Sequence, residues 1–170
     1  MNTVNLVTSQ GSDSNVTNLG FELQNGVQAL GVRQVIINEA MSWLRTPWHH
    51  AAAVKHAGVD CGRYLIEVYA NCGLIDRFVP EPYPQDFALH SSDERFLCNI
   101  ERYAVKVDSP QTGDIAVFKY GRCYSHAAIV IDYPRIIHAK INEGVTLDLA
   151  TQGDLLNRSV RFYTLFGGGL

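Results

Sequence analysis

"GVDCGRYLIEVYANCGL", residues 58–74, decides the reading of this chain. Asp60 is a strong N-cap residue. Leu65, Val68 and Tyr69 follow Cys61 at i+4, i+7 and i+8, so one apolar stripe runs back to the thiol. Gly73 suits the position just past a helix end. The spacing predicts a short helix opened by Asp60 and closed at Gly73, with Cys61 in its first turn and facing inward. Such a cysteine has two readings. Cysteine commonly packs as a small hydrophobe. A helix start, however, carries roughly half a positive charge and unpaired N–H groups. These favour thiolate, the nucleophilic form, over a thiol that otherwise titrates near ~8.5. The backbone N–H at Cys61 is also placed to hydrogen-bond an oxyanion.

Around this helix the chain reads as helices first and strands second. Residues 1 to about 20 are rich in Asn, Ser, Thr and Gly with one charge, Asp13, and are expected to form a linker or loosely attached arm. "RQVIINEAMSWL" (33–44) puts Ile36, Ala40, Trp43 and Leu44 on one helical stripe, ended by Pro47. "HAAAVKHAG" (50–58) reads as a loop, and so does "VPEPYPQD" (79–86), with three prolines. "SSDERFLCNIERYA" (91–104) reads as a helix capped by Ser91 or Ser92 with Glu94 in its first turn. "GDIAVFKY", "HAAIVID", "RIIHAK" and "GVTLDLA" are short β-branched runs between turn residues. "SVRFYTLF" is a last strand that closes the sheet. The expected class is α+β, with helices packed on an antiparallel sheet. The expected organisation is an arm over residues 1–32 and a single domain over 33–170.

Bulk composition narrows the function. The 170 residues carry 14 basic and 17 acidic side chains and no Lys/Arg block, which argues against nucleic-acid binding. No apolar run of spanning length occurs, so no membrane span is expected, and no secretory signal is read after the start Met. Cys61, Cys72, Cys98 and Cys123 match neither a zinc pattern nor a compact disulfide framework. Reduced thiols are expected, with Cys72, Cys98 and Cys123 structural. His49, His50, His56 and Cys61 form the only metal-like grouping; it is loop-borne, its spacings fit no zinc site, and neither a metal nor a cofactor is expected.

A base for the thiol is offered by the strands. His126 opens one and His138 sits late in the next, twelve residues apart with Tyr133–Pro134 in the turn between. Hairpin pairing places them on one face and opposite or nearly so. Cys61 as nucleophile, His126 as base and His138 as orienter give the Cys-His-polar form of triad logic. With ordinary imidazoles, activity would fall below pH ~6.

"RTPWHHAAAVKHAGVDCGRYL" (45–65), "PQTGDIAVF" (110–118) and "SHAAIVIDYPRIIHA" (125–139), in that order, resemble the NlpC-type cysteine peptidases. With "PYPQDFALHSSDERFL" (82–97) the likeness extends to the phage tail-assembly branch and runs from about Ile36 to Phe166. The resemblance implies a papain-like fold and a peptidase that cuts peptidoglycan stem peptides after γ-D-glutamate and before diaminopimelate or lysine. It puts Cys61 at the nucleophile, His126 at the general base and His138 at the third polar position. Trp48, His50, Asp60 and Ser125 become candidates for substrate or oxyanion contact. Pro110, Gly113 and Asp114 fall near the family's turn before the central strand, with Gln111 and Thr112 inserted. Trp48 stands where the family commonly has a Tyr whose hydroxyl faces the site, and Arg63 where it often has Gly. These two departures motivate an alternative, a catalytically inactive tail-assembly component on the same scaffold. The resemblance further implies synthesis in a bacterial cytoplasm, tail-tip proteins as partners, and action on the cell wall from a virion tail tip.

Overall fold

The computed structural model describes residues 28–85 and 87–167. The chain divides into two units, Met1–Gly31 and Val32–Leu170. Residues 28–31 of the first are helical. The arm expected over residues 1–32 otherwise lies outside the described residues. All that follows concerns the second unit.

Its elements, in order, are α1 (here residues 32–41), β1 (Ala53–Val54), β2 (Gly58–Val59), α2 (Cys61–Asn71), α3 (Phe87–His90) and α4 (Arg95–Glu101). The strands β3 (Val105–Val107), β4 (Ile115–Tyr120), β5 (Cys123–Asp132), β6 (Arg135–Lys140), β7 (Gly144–Leu149) and β8 (Val160–Thr164) follow, with a 3₁₀ turn at Gly153–Leu155 before the last. The six strands form one antiparallel sheet in the order β3-β8-β4-β5-β6-β7. β8 therefore does not close the sheet from its end; it inserts between β3 and β4.

The sheet is apolar on both faces, which is why its strands read as near-continuous hydrophobic runs. Alternation sends Val117, Ala127, Ile129, Ile137 and Ala139 to a large cluster with Tyr64, Leu65, Val68 and Tyr69 of α2. Ala116, Phe118, Ala128, Val130 and Ile136 go to the other face, covered by Leu155. Two buried tyrosines of α2 satisfy their hydroxyls on backbone carbonyls: Tyr64 on Ala40 at 3.1 Å and Tyr69 on Gly113 at 2.9 Å. α1 is tied to the sheet by Arg33, whose Nη1 donates to Asp114 Oδ1 at 2.8 Å and to the Thr112 carbonyl at 2.6 Å. Asp114 also takes the Thr164 hydroxyl at 2.6 Å and the Gln111 N–H at 2.7 Å.

Several expectations change. The first helix ends at residue 41 and continues as a turn, rather than running to Leu44. Residues 50–58 are not simply a loop, because β1 lies within them and pairs with β2, which starts at Gly58. α4 starts at Arg95 with Glu94 as N-cap, and neither Ser91 nor Ser92 caps it. Ser91 Oγ instead accepts the Asp93 N–H at 3.0 Å, and Glu94 accepts the Tyr124 N–H at 2.9 Å. His126 is the fourth residue of β5, not its first.

The 45–60 segment is held over the sheet end by a strand-like exchange. Arg45 N–H donates to the Val145 carbonyl at 2.9 Å and Val145 N–H to the Thr46 carbonyl at 2.8 Å. Gly144 permits this approach: its φ is +78°, and a Cβ there would stand 2.3 Å from the Thr46 oxygen.

Candidate active site

Asp60 starts α2 and organises its surroundings. Its side chain accepts the Arg63 N–H at 2.8 Å, the N-cap bond proper. Its other oxygen accepts the Ala51 N–H and the Tyr83 hydroxyl, each at 2.7 Å. The carboxylate is thus buried and fully engaged, pinning the helix start to two loops. Cys61, the first helical residue, is half-buried, and its Sγ donates to the Ser125 carbonyl at 3.9 Å. The thiol therefore sits against the β5 backbone at Ser125, the residue before His126, and its hydrogen bond goes to backbone rather than to an imidazole.

The histidines meet where β5 and β6 part. The ladder between these strands covers Ile129↔Ile137, Val130↔Ile136 and Asp132↔Arg135, with an irregularity at the turn end. Extended by one pair it would set His138 opposite Ala128, so His126 is its diagonal neighbour on the same face. His126 Nε2 and His138 Nδ1 are 2.7 Å apart. This leaves His126 Nδ1 unengaged by the second ring. By alternation both rings belong to the face of Phe118 and Val130. The His126 ring lies edge-on to Tyr120 at 5.3 Å and tilted on Phe118 at 6.2 Å.

Electrostatics set the resting protonation. Burial, then the Asp60 carboxylate, push the Cys61 thiol up to about 12, against the pull of the backbone N–H groups of Ala127, Gly62 and itself. Burial, then His138, pull His126 down to about 3. Burial also lowers His138, against Asp148. At rest the thiol and both imidazoles are neutral. The helix start does not ionise Cys61 here, since desolvation and a full charge at Asp60 outweigh a partial one.

The sign of the pH effect follows. Below about 6.5 an unfolded chain protonates both histidines while the folded one resists. The stability they contribute is present above pH 6.5 and is lost as pH falls toward the His126 value of about 3. Activity that needs a neutral His126 should hold through pH 6, lower than ordinary imidazoles imply. A profile of kcat/KM alongside urea midpoints from pH 4 to 8 checks both. A drop in kcat/KM centred at pH 6–7 would contradict the burial account.

The remaining sequence candidates take varied places. Trp48 bridges to Val59 and stacks on His50 at 6.3 Å. His50 Nε2 lies 2.9 Å from the Tyr83 carbonyl. Ser125 contributes its carbonyl to the thiol. Arg63 turns away from Cys61: Nη1 donates to the Phe78 carbonyl at 2.9 Å and Nη2 lies 3.7 Å from Glu67. His49, His50 and His56 do not converge with Cys61, and among the described residues no three His, Cys, Asp or Glu group around a metal position. Tyr83 and Asp148 carried no sequence signal. Beside the first turn of α2 lies a cavity of about 560 Å³, lined by Gly62, Leu65, Phe78, Tyr83 and Phe96 among others.

The NlpC/P60 family model matches residues 45–162, well over half the chain. The chain belongs to the NlpC/P60 family. Members of this family are generally cysteine peptidases that hydrolyse cell-wall peptidoglycan. Solved structures share the fold of this NlpC/P60 chain. The NlpC/p60 domain of the peptidoglycan hydrolase SagA is 16% identical with a TM-score of 0.53, covering 76% of this chain and 96% of that one. A Bacillus cereus NlpC/P60 protein is 19% identical with a TM-score of 0.52, and a Staphylococcus aureus NLP/P60 protein similar to lipoprotein is 18% identical with a TM-score of 0.54. They cover 76% and 77% of this chain but only 39% and 41% of their own lengths. No curated protein matches the sequence. The mixed helix and antiparallel-sheet architecture is the papain-like fold. Among the described residues no helix is long and apolar enough to cross a membrane.

Proposed function

We propose that this NlpC/P60 chain is a cysteine peptidase that hydrolyses the γ-D-glutamyl–diamino acid bond of peptidoglycan stem peptides. One observation carries the reading: Cys61 starts an Asp60-capped helix with its Sγ on the Ser125 carbonyl of β5, and the next residue of that strand, His126, meets His138 at 2.7 Å. Cys61 Sγ attacks the amide carbonyl carbon while its proton passes to His126 Nδ1. The C–N bond breaks, His126 returns the proton to the leaving amine, and a thioester remains on Cys61. Water, deprotonated by His126, attacks the thioester and releases the acid and the thiol. His138 holds the His126 ring through Nε2. Trp48 and His50 are assigned to substrate contact, and the N–H of Cys61 to the oxyanion. Residues 33–170 are assigned to the peptidase domain. The branch likeness of residues 82–97 supports a phage or prophage tail-tip setting, with cytoplasmic synthesis, tail-tip partners and action in the cell wall.

The test is digestion of a defined disaccharide-tetrapeptide with the products weighed by mass spectrometry. The expected products are a disaccharide-dipeptide ending in D-glutamate and a diamino-acid dipeptide. An intact substrate, or a cut elsewhere, overturns this reading. Intact substrate would favour the alternative motivated by Trp48 and Arg63, an inactive tail-assembly component.

A further inference from the structure

Behind the histidine pair lies a polar group that the mechanism above does not use. His138 is fully buried, and its Nε2 has no hydrogen-bond partner. The charge facing that nitrogen is Asp148, whose Oδ2 stands 3.6 Å away. This is beyond a hydrogen bond but well within electrostatic reach of a fully buried ring. The placement follows from register. His138 pairs with Thr146 and Ile136 with Asp148, so Asp148 is the diagonal neighbour of His138 on one face of β7.

The 2.7 Å contact between His126 Nε2 and His138 Nδ1 admits two neutral tautomer pairs. In one, His126 donates from Nε2, His138 carries its proton on Nε2, and His126 Nδ1 is a bare base. In the other, His138 donates from Nδ1, its bare Nε2 faces Asp148, and His126 carries its proton on Nδ1. A carboxylate 3.6 Å from Nε2 attracts an N–H there and repels a lone pair.

We propose that Asp148 is a positioning residue that acts through His138 to fix the tautomer in which His126 Nδ1 is free to take the Cys61 proton. The inference rests on the role proposed above for His126.

The cations around Asp148 do not cancel it. Lys140 Nζ lies 3.2 Å from the same Oδ2. That ammonium is shared with Glu143 at 2.9 Å and Asp154 at 3.4 Å, so three carboxylates surround one cation. Asp154 also accepts the Tyr120 hydroxyl at 2.7 Å, and Arg158 lies over the Tyr120 ring at 3.6 Å. The groups facing the pair are thus Asp148 from β7, Lys140 from β6, Glu143 from the following turn, and Asp154 and Arg158 from the 3₁₀ region. The balance on the His138 side is negative.

The experiment is long-range ¹H–¹⁵N correlation spectroscopy on the full chain labelled in histidine, which reads the tautomer without substrate. Wild type should show His126 protonated on Nε2 and bare on Nδ1, and His138 protonated on Nε2. In Asp148→Asn the amide removes the charge, and a population with His126 protonated on Nδ1 should appear. That variant should lose activity on the order of 10–100-fold in kcat with little change in KM. Asp148→Glu should restore the wild-type tautomer. A wild type with its His126 proton on Nδ1, or an Asp148→Asn spectrum with unchanged tautomers, overturns the proposal. Should Asp148→Asn not fold, Lys140→Met serves: removing the cation should raise the His138 titration midpoint, and an unmoved midpoint overturns the proposal. A chain inert toward muropeptides but with tautomers governed by Asp148 would sink the peptidase reading alone. An active chain with the opposite tautomer would sink this inference alone.

Discussion

Cys61→Ala should lower kcat/KM on muropeptide by about 10⁴-fold or more while leaving the protein folded. That loss corresponds to about 5.4 kcal/mol of transition-state stabilisation. The chemical part is simple: alanine offers no atom to form the thioester, so covalent catalysis ends. The structural part is what makes the comparison clean. Cys61 is half-buried, its Sγ meets only backbone groups, among them the Ser125 carbonyl at 3.9 Å, and the Asp60 cap engages backbone that the substitution leaves in place. Alanine is also the best helix former. The stability change should stay within about 1 kcal/mol. Equal rates for the two proteins would remove Cys61 from the reaction. Thiol alkylation is the weaker assay here: a thiol held up at about 12 reacts slowly at neutral pH whether or not the site is competent.

Arg33→Met should destabilise the fold by about 3–5 kcal/mol, a large share of the 5–15 kcal/mol a domain holds. Arg33 and Asp114 are both buried and meet at 2.8 Å. Without the guanidinium, Asp114 stays buried with only the Thr164 hydroxyl and the Gln111 N–H to hold its charge. The double variant with Asp114→Asn removes the charge as well and should regain much of the loss, since the cost lies in the stranded ion rather than in the missing pair. Urea midpoints of wild type, Arg33→Met, Asp114→Asn and the double variant measure this. A double variant as unstable as the sum of its single changes would contradict the stranded-charge account.

The parts legible in the sequence were those written in local periodicity. Asp60, Cys61 and the Leu65–Val68–Tyr69 stripe specify α2 within eleven residues, and the structure places that helix over Cys61–Asn71. The spacing of His126 and His138 across Tyr133–Pro134 was enough to bring the rings together. What sequence could not carry is set by packing at a distance. β1 and β2 are two residues each, too short for any period to show. β3 is mostly exposed and pairs with β8 alone, at the edge of the sheet. The charge of Asp60 reads as a helpful cap in sequence, yet once buried it works against the thiolate beside it. Asp148 and Tyr83 matter through contacts 10 and 23 residues away in the chain. Arg63, the residue least compatible with the family pattern, is taken up by the Phe78 carbonyl and Glu67 at a nearly buried site beside α2.

The most direct test of the central claim is the mass of the enzyme itself, quenched in acid during digestion of the defined disaccharide-tetrapeptide and then mapped by peptide. The account predicts an adduct equal to the disaccharide-dipeptide acyl group, located on the peptide that contains Cys61 and absent from Cys61→Ala. Turnover with no adduct on Cys61, or with the acyl group on another residue, would contradict it.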